Sequence, residues 1–268
     1  MKSFEFCNGE IEERKLLLEA LKININTKNI ISFVGGGGKT SLIYELGNEL
    51  SELGKKVIIT TTTHMFMPKS NVVLTGKRCD IIKLLNSENM ITVGMLCDEK
   101  NVKLELNQLK NEDTFSNVKE KKLNKIRGLL ESTATSLIEL ADFVLVEADG
   151  SRRLPLKMPA FHEPVILEGS NLVIGVCGID AIGKTIKETC HRPNLVSKFL
   201  DVTEEHIINE NDIAKILLSD KGQRKNVKCD YKVIVNKVDN RESFEIGKNI
   251  SYEISKLGTD ELILTTFK

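Results

Sequence analysis

An excess of either charge is the first thing missing. Lys and Arg number 38 and Asp and Glu number 38 in 268 residues, so no global field favours nucleic acid or an anionic membrane. Paired cysteines are missing as well. Cys7, Cys79, Cys97, Cys177, Cys190 and Cys229 are scattered with no C-x-x-C spacing, which reads as reduced thiols and not as a disulfide framework. No apolar run reaches the length of a membrane span, and Met1–Glu10 has no apolar leader core, so the expectation is a cytoplasmic protein without a membrane partner. Internal repeats and low-complexity tracts are absent. Proline is scarce, and three of the five (Pro155, Pro159, Pro164) fall together, which predicts an extended or looped stretch there. What remains is an ordinary globular composition, 41% hydrophobic and 28% charged.

Periodicity predicts an amphipathic helix at Glu10–Leu21 and a strand at Asn29–Val34. A helix over Thr40–Leu53, closed by Gly54, leads to a strand at Val57–Thr62, parallel to the first through a right-handed crossover. Short strands follow at Val72–Leu74, Ile91–Met95 and Val102–Leu106, with a helix near Ile81–Leu85. Lys110–Lys125 reads as a solvated charged face. Later expectations are a helix at Leu123–Leu140, strands at Asp142–Val146 and Leu172–Cys177, and a helix at Thr203–Ser219 capped by Thr203. A strand at Tyr231–Val235, a helix at Ser243–Lys256 and a strand at Glu261–Thr266 close the chain. Strands alternating with helices predict an α/β fold, a mostly parallel sheet with helices on both faces, in a three-layer sandwich that becomes P-loop NTPase-like only with the glycine-rich loop Gly35-Gly-Gly-Gly-Lys-Thr40 between its first strand and helix. The length suits one domain over residues 1–268, with a small insertion at about 65–120.

Two segments end in Gly-Lys-Thr, as the loop that cradles nucleotide phosphates does. Gly178-Ile-Asp-Ala-Ile-Gly183-Lys184-Thr185 fits G-x-x-x-x-G-K-[ST] letter for letter. Gly35-Gly-Gly-Gly38-Lys39-Thr40 does not, because Phe33 falls where the first glycine belongs. Chemistry decides against the letters. Such a loop turns successive N–H groups toward phosphate oxygens at a helix N-terminus, where the macrodipole also favours an anion. The first segment has a strand before it, no side chains in the loop and a regular helix after it. The second carries β-branched Ile179 and Ile182, and Pro193 limits any helix that follows. A phosphate loop is therefore expected at Gly35, Gly36, Gly37, Gly38, Lys39 and Thr40, and an ordinary strand exit at Gly178–Thr185. The amides of Gly36–Thr40 would cradle the phosphates and Lys39 would neutralise the β and γ groups. Thr40 would ligate Mg2+, and Ser41 would reach the α-phosphate.

Such a site needs a carboxylate at the end of a neighbouring buried strand. Phe143-Val-Leu-Val-Glu147-Ala-Asp149-Gly150 offers two on one side of an extended chain. One would act on Mg2+ and the other on the attacking water, in an order the spacing leaves open. The bland alternative is a pair of exposed strand-end acids. Thr60–Thr63 and His64 lie at the carboxyl end of the second expected strand, where such sheets hold ligands, which makes Thr62, Thr63 and His64 candidate nucleotide contacts. Threonine is equally a common strand residue, and a lone histidine a common structural one. Asn236-Lys237-Val-Asp239 has the N-K-x-D spacing that reads guanine, with the carboxylate accepting from the base and the Lys stem covering its face. Arg152, Arg153 and Lys157 form either a solvated basic loop or a clamp on phosphate or an anionic second substrate, with Arg152 the candidate catalytic cation.

These blocks, in order, resemble a known family. Val34-Gly-Gly-Gly-Gly-Lys-Thr40, Thr60-Thr-Thr-Thr-His-Met65, Glu147-Ala-Asp-Gly-Ser-Arg-Arg-Leu-Pro-Leu-Lys-Met-Pro159, His162-Glu-Pro164, His191-Arg-Pro193 and Asn236-Lys-Val-Asp239 are similar to the YqeC-type proteins, described as accessory proteins for selenium-dependent molybdenum hydroxylases. Gly36 stands where that family suggests a small residue such as alanine. The resemblance implies a client hydroxylase, or its cofactor, as partner. The motif order also resembles metal-inserting GTPases, but only Cys190-His191 adjoin here, which disfavours direct metal carriage. The leading expectation is a slow Mg2+-dependent NTPase, GTP favoured over ATP, coupling hydrolysis to a maturation step. The alternatives are an ATP-dependent transferase or ligase acting on a small anionic substrate, and a non-hydrolysing nucleotide-dependent scaffold.

Overall fold

The structure is a computed structural model that describes residues 1–7, 10–97, 125–259 and 261–268. Strands β1 (Lys2–Cys7) and β2 (Glu10–Arg14) form an antiparallel hairpin, followed by the short helix α1 (Leu17–Ala20). The central unit is β3 (Asn29–Gly35), α2 (Lys39–Glu52) and β4 (Val57–Thr61). Next come β5 (His64–Phe66), β6 (Val72–Val73), α3 (Arg78–Ser87), β7 (Met90–Val93) and β8 (Met95–Leu96), then β9 (Lys125–Arg127), α4 (Glu131–Ser136) and β10 (Phe143–Glu147). The rest of the chain contributes β11 (Leu156–Lys157), β12 (Leu172–Gly178), α5 (Ile186–Thr189), β13 (Cys190–His191), α6 (Pro193–Leu200), α7 (Glu210–Leu218), β14 (Asp230–Asn236), α8 (Arg241–Ser255) and β15 (Leu262–Thr266).

Ten strands make one sheet in the order β2-β1-β15-β14-β12-β3-β10-β4-β7-β6, parallel throughout except at one end, where β1 runs antiparallel to both β2 and β15. The interior strands are apolar on both faces because both faces are covered. Ile31 and Phe33 of β3 and Phe143 and Leu145 of β10 pack with Leu42, Ile43, Leu46 and Leu50 of α2. The alternate residues, Ile30, Val144 and Val146, face Ile81 and Leu85 of α3 and Ala134 of α4. On that second face Val233, Val235 and Leu264 pack with α7 and α8. Each fully buried side chain of this size contributes about 1.5–3 kcal/mol. The result is an α/β fold with a large, mostly parallel sheet, compatible with a three-layer sandwich. Among the described residues no helix is long and apolar enough to cross a membrane.

Several expected elements differ. Glu10–Leu21 is mostly not helical: Glu10–Arg14 pairs with β1, and Arg14 reaches the buried Glu5 at 3.0 Å, so apolar spacing survives as a helix only at Leu17–Ala20. The helix expected at Leu123–Leu140 is interrupted by β9, because Ile126 is fully buried between β5 and β8; residues 123 and 124 lie outside the described ones. Thr203 does not cap a helix. α7 begins later, where Asn209 and Asp212 form a reciprocal capping box. Pro193 starts a helix instead of limiting one, since a proline at the first helical position sacrifices no bond. β3 and β4 are parallel but separated by β10. The strand expected at Val102–Leu106, and the stretch from Lys110 to residue 124 within the expected insertion, also lie outside the described residues.

Candidate functional site

Chain order reverses around β3, whose neighbours are β10 and β12, and the parallel strands end along one edge there, the usual ligand edge of such sheets. Gly35–Gly38 is a loop from β3 into α2. Gly37 and Gly38 have φ of +71° and +111°, and a Cβ on Gly37 would stand 2.0 Å from the Gly178 nitrogen, so only glycine fits. The first amides of the loop are spent on the protein. Gly35 N–H donates to both oxygens of Asp149 at 3.1 and 3.0 Å, Gly36 N–H to the Val176 carbonyl at 2.8 Å, and Gly37 N–H to the Leu154 carbonyl at 3.2 Å. The expected cradle of Gly36–Thr40 amides is therefore narrowed and shifted. The N–H groups open to an anion are those that begin α2, from Gly38 to Ser41. A Cβ at Gly36 would meet the Leu154 oxygen at 2.6 Å, so alanine there would require the backbone to give way.

Lys39 is buried, ion-paired with Asp149 at 3.0 Å and bonded to the Gly35 carbonyl. The Thr40 hydroxyl donates to Glu147 Oε2 at 2.7 Å. The two acids thus separate. Glu147 ends β10 between Phe33 and Thr61 and faces Thr40. Asp149, beyond the strand, takes Gly35 N–H on both oxygens, Lys39 on Oδ1 and Lys157 on Oδ2 at 3.0 Å. A carboxylate has about four lone-pair sites, so here the protein's own donors occupy Asp149, whereas Glu147 takes the Thr40 hydroxyl. Burial pushes the Glu147 carboxyl up, and Lys39 and the Thr40 hydroxyl offset this only in part. A threonine hydroxyl beside a carboxylate is a pair of hard oxygen donors that fits Mg2+.

A chain of charges runs outward from Asp149. Lys157 is fully buried; besides Asp149 it holds Glu163 at 2.9 Å and the Gly150 carbonyl at 2.8 Å. Glu163 takes two guanidinium nitrogens of Arg192 at 2.6 and 3.1 Å. Burial would raise the Glu163 carboxyl, but Lys157 and Arg192 outweigh it and hold it at about 2. His191, opposite Lys157 where β11 pairs with β13, is held at about 4 by burial, then by Arg192, Lys157 and Arg152. Lys157 is therefore an interior counter-ion and not part of an exposed clamp. Glu163 and Arg192 escape a reading by loop motifs alone, although the His162-Glu-Pro and His191-Arg-Pro blocks carry the signal. Gln223, buried against Gly35 with both amide atoms unpartnered, has no such signal.

The threonines tie the chain together at the exit of β4. Thr60, Thr61 and Thr62 hydroxyls donate to the carbonyls of Val93, Glu147 and Val165 at 2.9, 2.8 and 3.0 Å, and the Thr63 hydroxyl lies 3.4 Å from that of Thr61. His64 is exposed on β5, opposite Arg127. Arg152 and Arg153 are exposed at the turn after Asp149. Asn236 is buried; its amide donates to the Gly37 carbonyl at 2.8 Å and accepts from Thr265 at 2.9 Å, so it shapes the loop directly. Lys237 pairs with Asp180 at 2.7 Å, and Asp239 accepts from Thr266 at 2.8 Å and pairs with Lys268 at 3.0 Å. At the second Gly-Lys-Thr, Lys184 is exposed and Thr185 caps only the four-residue α5.

Residues 31–194 match the family described as YqeC protein. A YqeC protein of Escherichia coli (strain K12), itself uncharacterized, is 32% identical over 201 residues, covering 74% of this chain and 71% of its own.

Proposed function

The chain belongs to the YqeC family, and from that membership and the loop geometry we propose that it is a Mg2+-dependent P-loop nucleotide-binding protein that hydrolyses its nucleotide slowly. The observation that carries this reading is the 2.7 Å contact of Thr40 with Glu147, at the start of a helix whose N-terminus has no side-chain cap. In this reading Thr40 and Glu147 hold Mg2+, which neutralises phosphate charge when bound. The amides from Gly38 to Ser41 bind phosphate oxygens, and Lys39 exchanges Asp149 for the β and γ groups. GTP is favoured over ATP because Asn236 ties the N-K-x-D turn to the loop. Asp180 pins the Lys237 ammonium, leaving the lysine stem as a surface for the base, with Asp239 as its acceptor. Service to a molybdenum hydroxylase or its cofactor rests on the family resemblance alone.

Calorimetric titration of Mg2+–GTP and Mg2+–ATP into wild type, Lys39→Ala and Lys184→Ala tests this. Binding lost only in Lys39→Ala, with GTP tighter, is expected; loss in Lys184→Ala instead would move the site to Gly178–Thr185. Phosphate release under saturating Mg2+–GTP separates a hydrolase from a scaffold. A second reading, ATP-dependent transfer to a small anion, is favoured by the exposed Arg152 and Arg153, which have no carboxylate partner among the described residues.

A further inference from the structure

β5 and β9 pair antiparallel, with His64 opposite Arg127, Met65 opposite Ile126 and Phe66 opposite Lys125. Met65 and Ile126 are buried in the core that α2 covers, so strand alternation turns Phe66, Lys125 and Arg127 to the other face. Arg153 arrives over that face from the turn after Asp149. Its guanidinium lies 4.5 Å from the centre of the Phe66 ring, and the Lys125 ammonium lies 5.2 Å from the same centre. Two cations therefore flank one aromatic ring, a third, Arg127, shares their face one pair along the ladder, and none of the three has an ion-pair partner among the described residues.

Two further features are left unexplained by the protein's own contacts. Arg127 Nε is buried and has no hydrogen-bond acceptor among the described residues, which is costly for a desolvated donor. Arg152 and Arg153 both hold left-handed backbone, at φ of +52° and +66°, a conformation strained for a non-glycine residue. The patch adjoins the candidate nucleotide site. β5 leaves the carboxyl end of β4, Gly128 N–H donates to the Thr63 carbonyl at 3.0 Å, and Lys125 is near enough to Glu147 to draw its carboxyl down. In the sheet order β3-β10-β4, Lys39 stands on one side of Glu147 and this patch on the other.

We propose that Phe66, Lys125, Arg127 and Arg153 form a second ligand site that takes a small anion bearing phosphate or carboxylate groups. The two guanidinium groups supply planar, paired donors for such groups, and the lysine supplies a point charge. A balanced overall charge and a patch of this size favour a small molecule over a polyanion. A place beside the terminal phosphate rests on the nucleotide reading above; the binding of the anion does not.

The test uses the full chain, with inorganic phosphate and citrate as probes in separate calorimetric titrations. At least one should saturate wild type. That affinity should fall at least tenfold in Arg153→Gln and in Lys125→Gln, persist in part in Arg153→Lys, and stay within twofold in Lys39→Ala. Unchanged melting temperatures in the Arg153 variants would confirm that they fold. Binding lost in Lys39→Ala and kept in Arg153→Gln would overturn the proposal, because the phosphate loop would be the binder. No saturable binding of either probe to wild type would overturn it too, as would Arg153-dependent binding of a single-stranded oligonucleotide in preference to both. Anion binding sensitive to Arg153 in a protein that binds no nucleotide would sustain this site and reject the nucleotide reading.

Discussion

Replacing Lys157 with methionine keeps an unbranched side chain and removes its charge from the interior. Lys157 is fully buried and touches Asp149, Glu163 and the Gly150 carbonyl, all at 2.8–3.0 Å. In the variant, Asp149 keeps Lys39 and Glu163 keeps Arg192. Each acid retains one cation, so the loss should sit near the lower end of the roughly 3–5 kcal/mol expected when one partner of a buried pair is removed. For a chain of this length that lowers the melting temperature by about 6–12 °C. The sharper measurement is a cycle with Lys39→Ala. Either single change leaves Asp149 one ammonium, and both together leave a buried carboxylate with only backbone donors. The double variant should therefore lose at least about 1 kcal/mol more than the sum of the singles, beyond the roughly 0.5 kcal/mol scatter of independent sites. Urea unfolding of the four proteins at pH 7 supplies the numbers. Additive losses would refute the shared-carboxylate argument. Nucleotide that draws Lys39 off Asp149 acts like the Lys39 deletion, so Lys157→Met should also weaken Mg2+–nucleotide binding about fivefold or more without touching it.

Glu163 is held at about 2, below its ordinary range, so its contribution is complete above about pH 4.5 and is lost as pH falls from there toward 2. The stability gap between wild type and Glu163→Gln should therefore close by about 3 kcal/mol across that window, read from urea midpoints. Glu147 is pushed the other way, and Mg2+ requires its ionised form, so metal binding should release protons and weaken as pH falls. Calorimetry in two buffers of different ionisation heat measures the release, and Glu147→Gln should abolish the metal-dependent part of nucleotide binding. Gly37→Ala must place a Cβ against the Gly178 nitrogen at a φ of +71°, and should cost about 3 kcal/mol in urea unfolding and abolish nucleotide binding. Lys184→Ala, at an exposed position, should change stability by less than about 0.5 kcal/mol.

What the sequence reveals is what neighbouring residues decide. Four glycines between a β-branched run and a regular amphipathic segment mark the β3–α2 loop, and N-K-x-D after a clean strand marks the turn beside it. Acceptors supplied from far along the chain stay hidden. The hydroxyls of Thr60–Thr62 look free for a ligand until β7, β10 and the Val165 segment bring their carbonyls. Glu147 and Asp149 look equivalent by alternation, but Asp149 lies past the end of its strand, where Gly35 and two lysines claim it. Lys157, next to two exposed arginines in sequence, is buried only because β11 pairs with β13. The helix expected at Glu10–Leu21 fails for the same reason: the pairing of Glu10–Arg14 with β1 overrides a helical spacing that is real only at Leu17–Ala20.

The loop at Gly35–Lys39 is written early in the chain, but its shape is set by segments made much later. Gly36 is held by Val176, Gly37 by Leu154, and the Gly37 carbonyl by Asn236. During synthesis the motif therefore leaves the ribosome long before the strands that mould it, and waits as unshaped chain until β12 and β14 arrive on the far side of β3. A fragment ending after β10 would contain every residue of the motif and none of its moulding contacts from the second half. The finished shape of this loop is accordingly a mark of completed folding, and a chain truncated after β10 lacks the contacts that give the loop that shape.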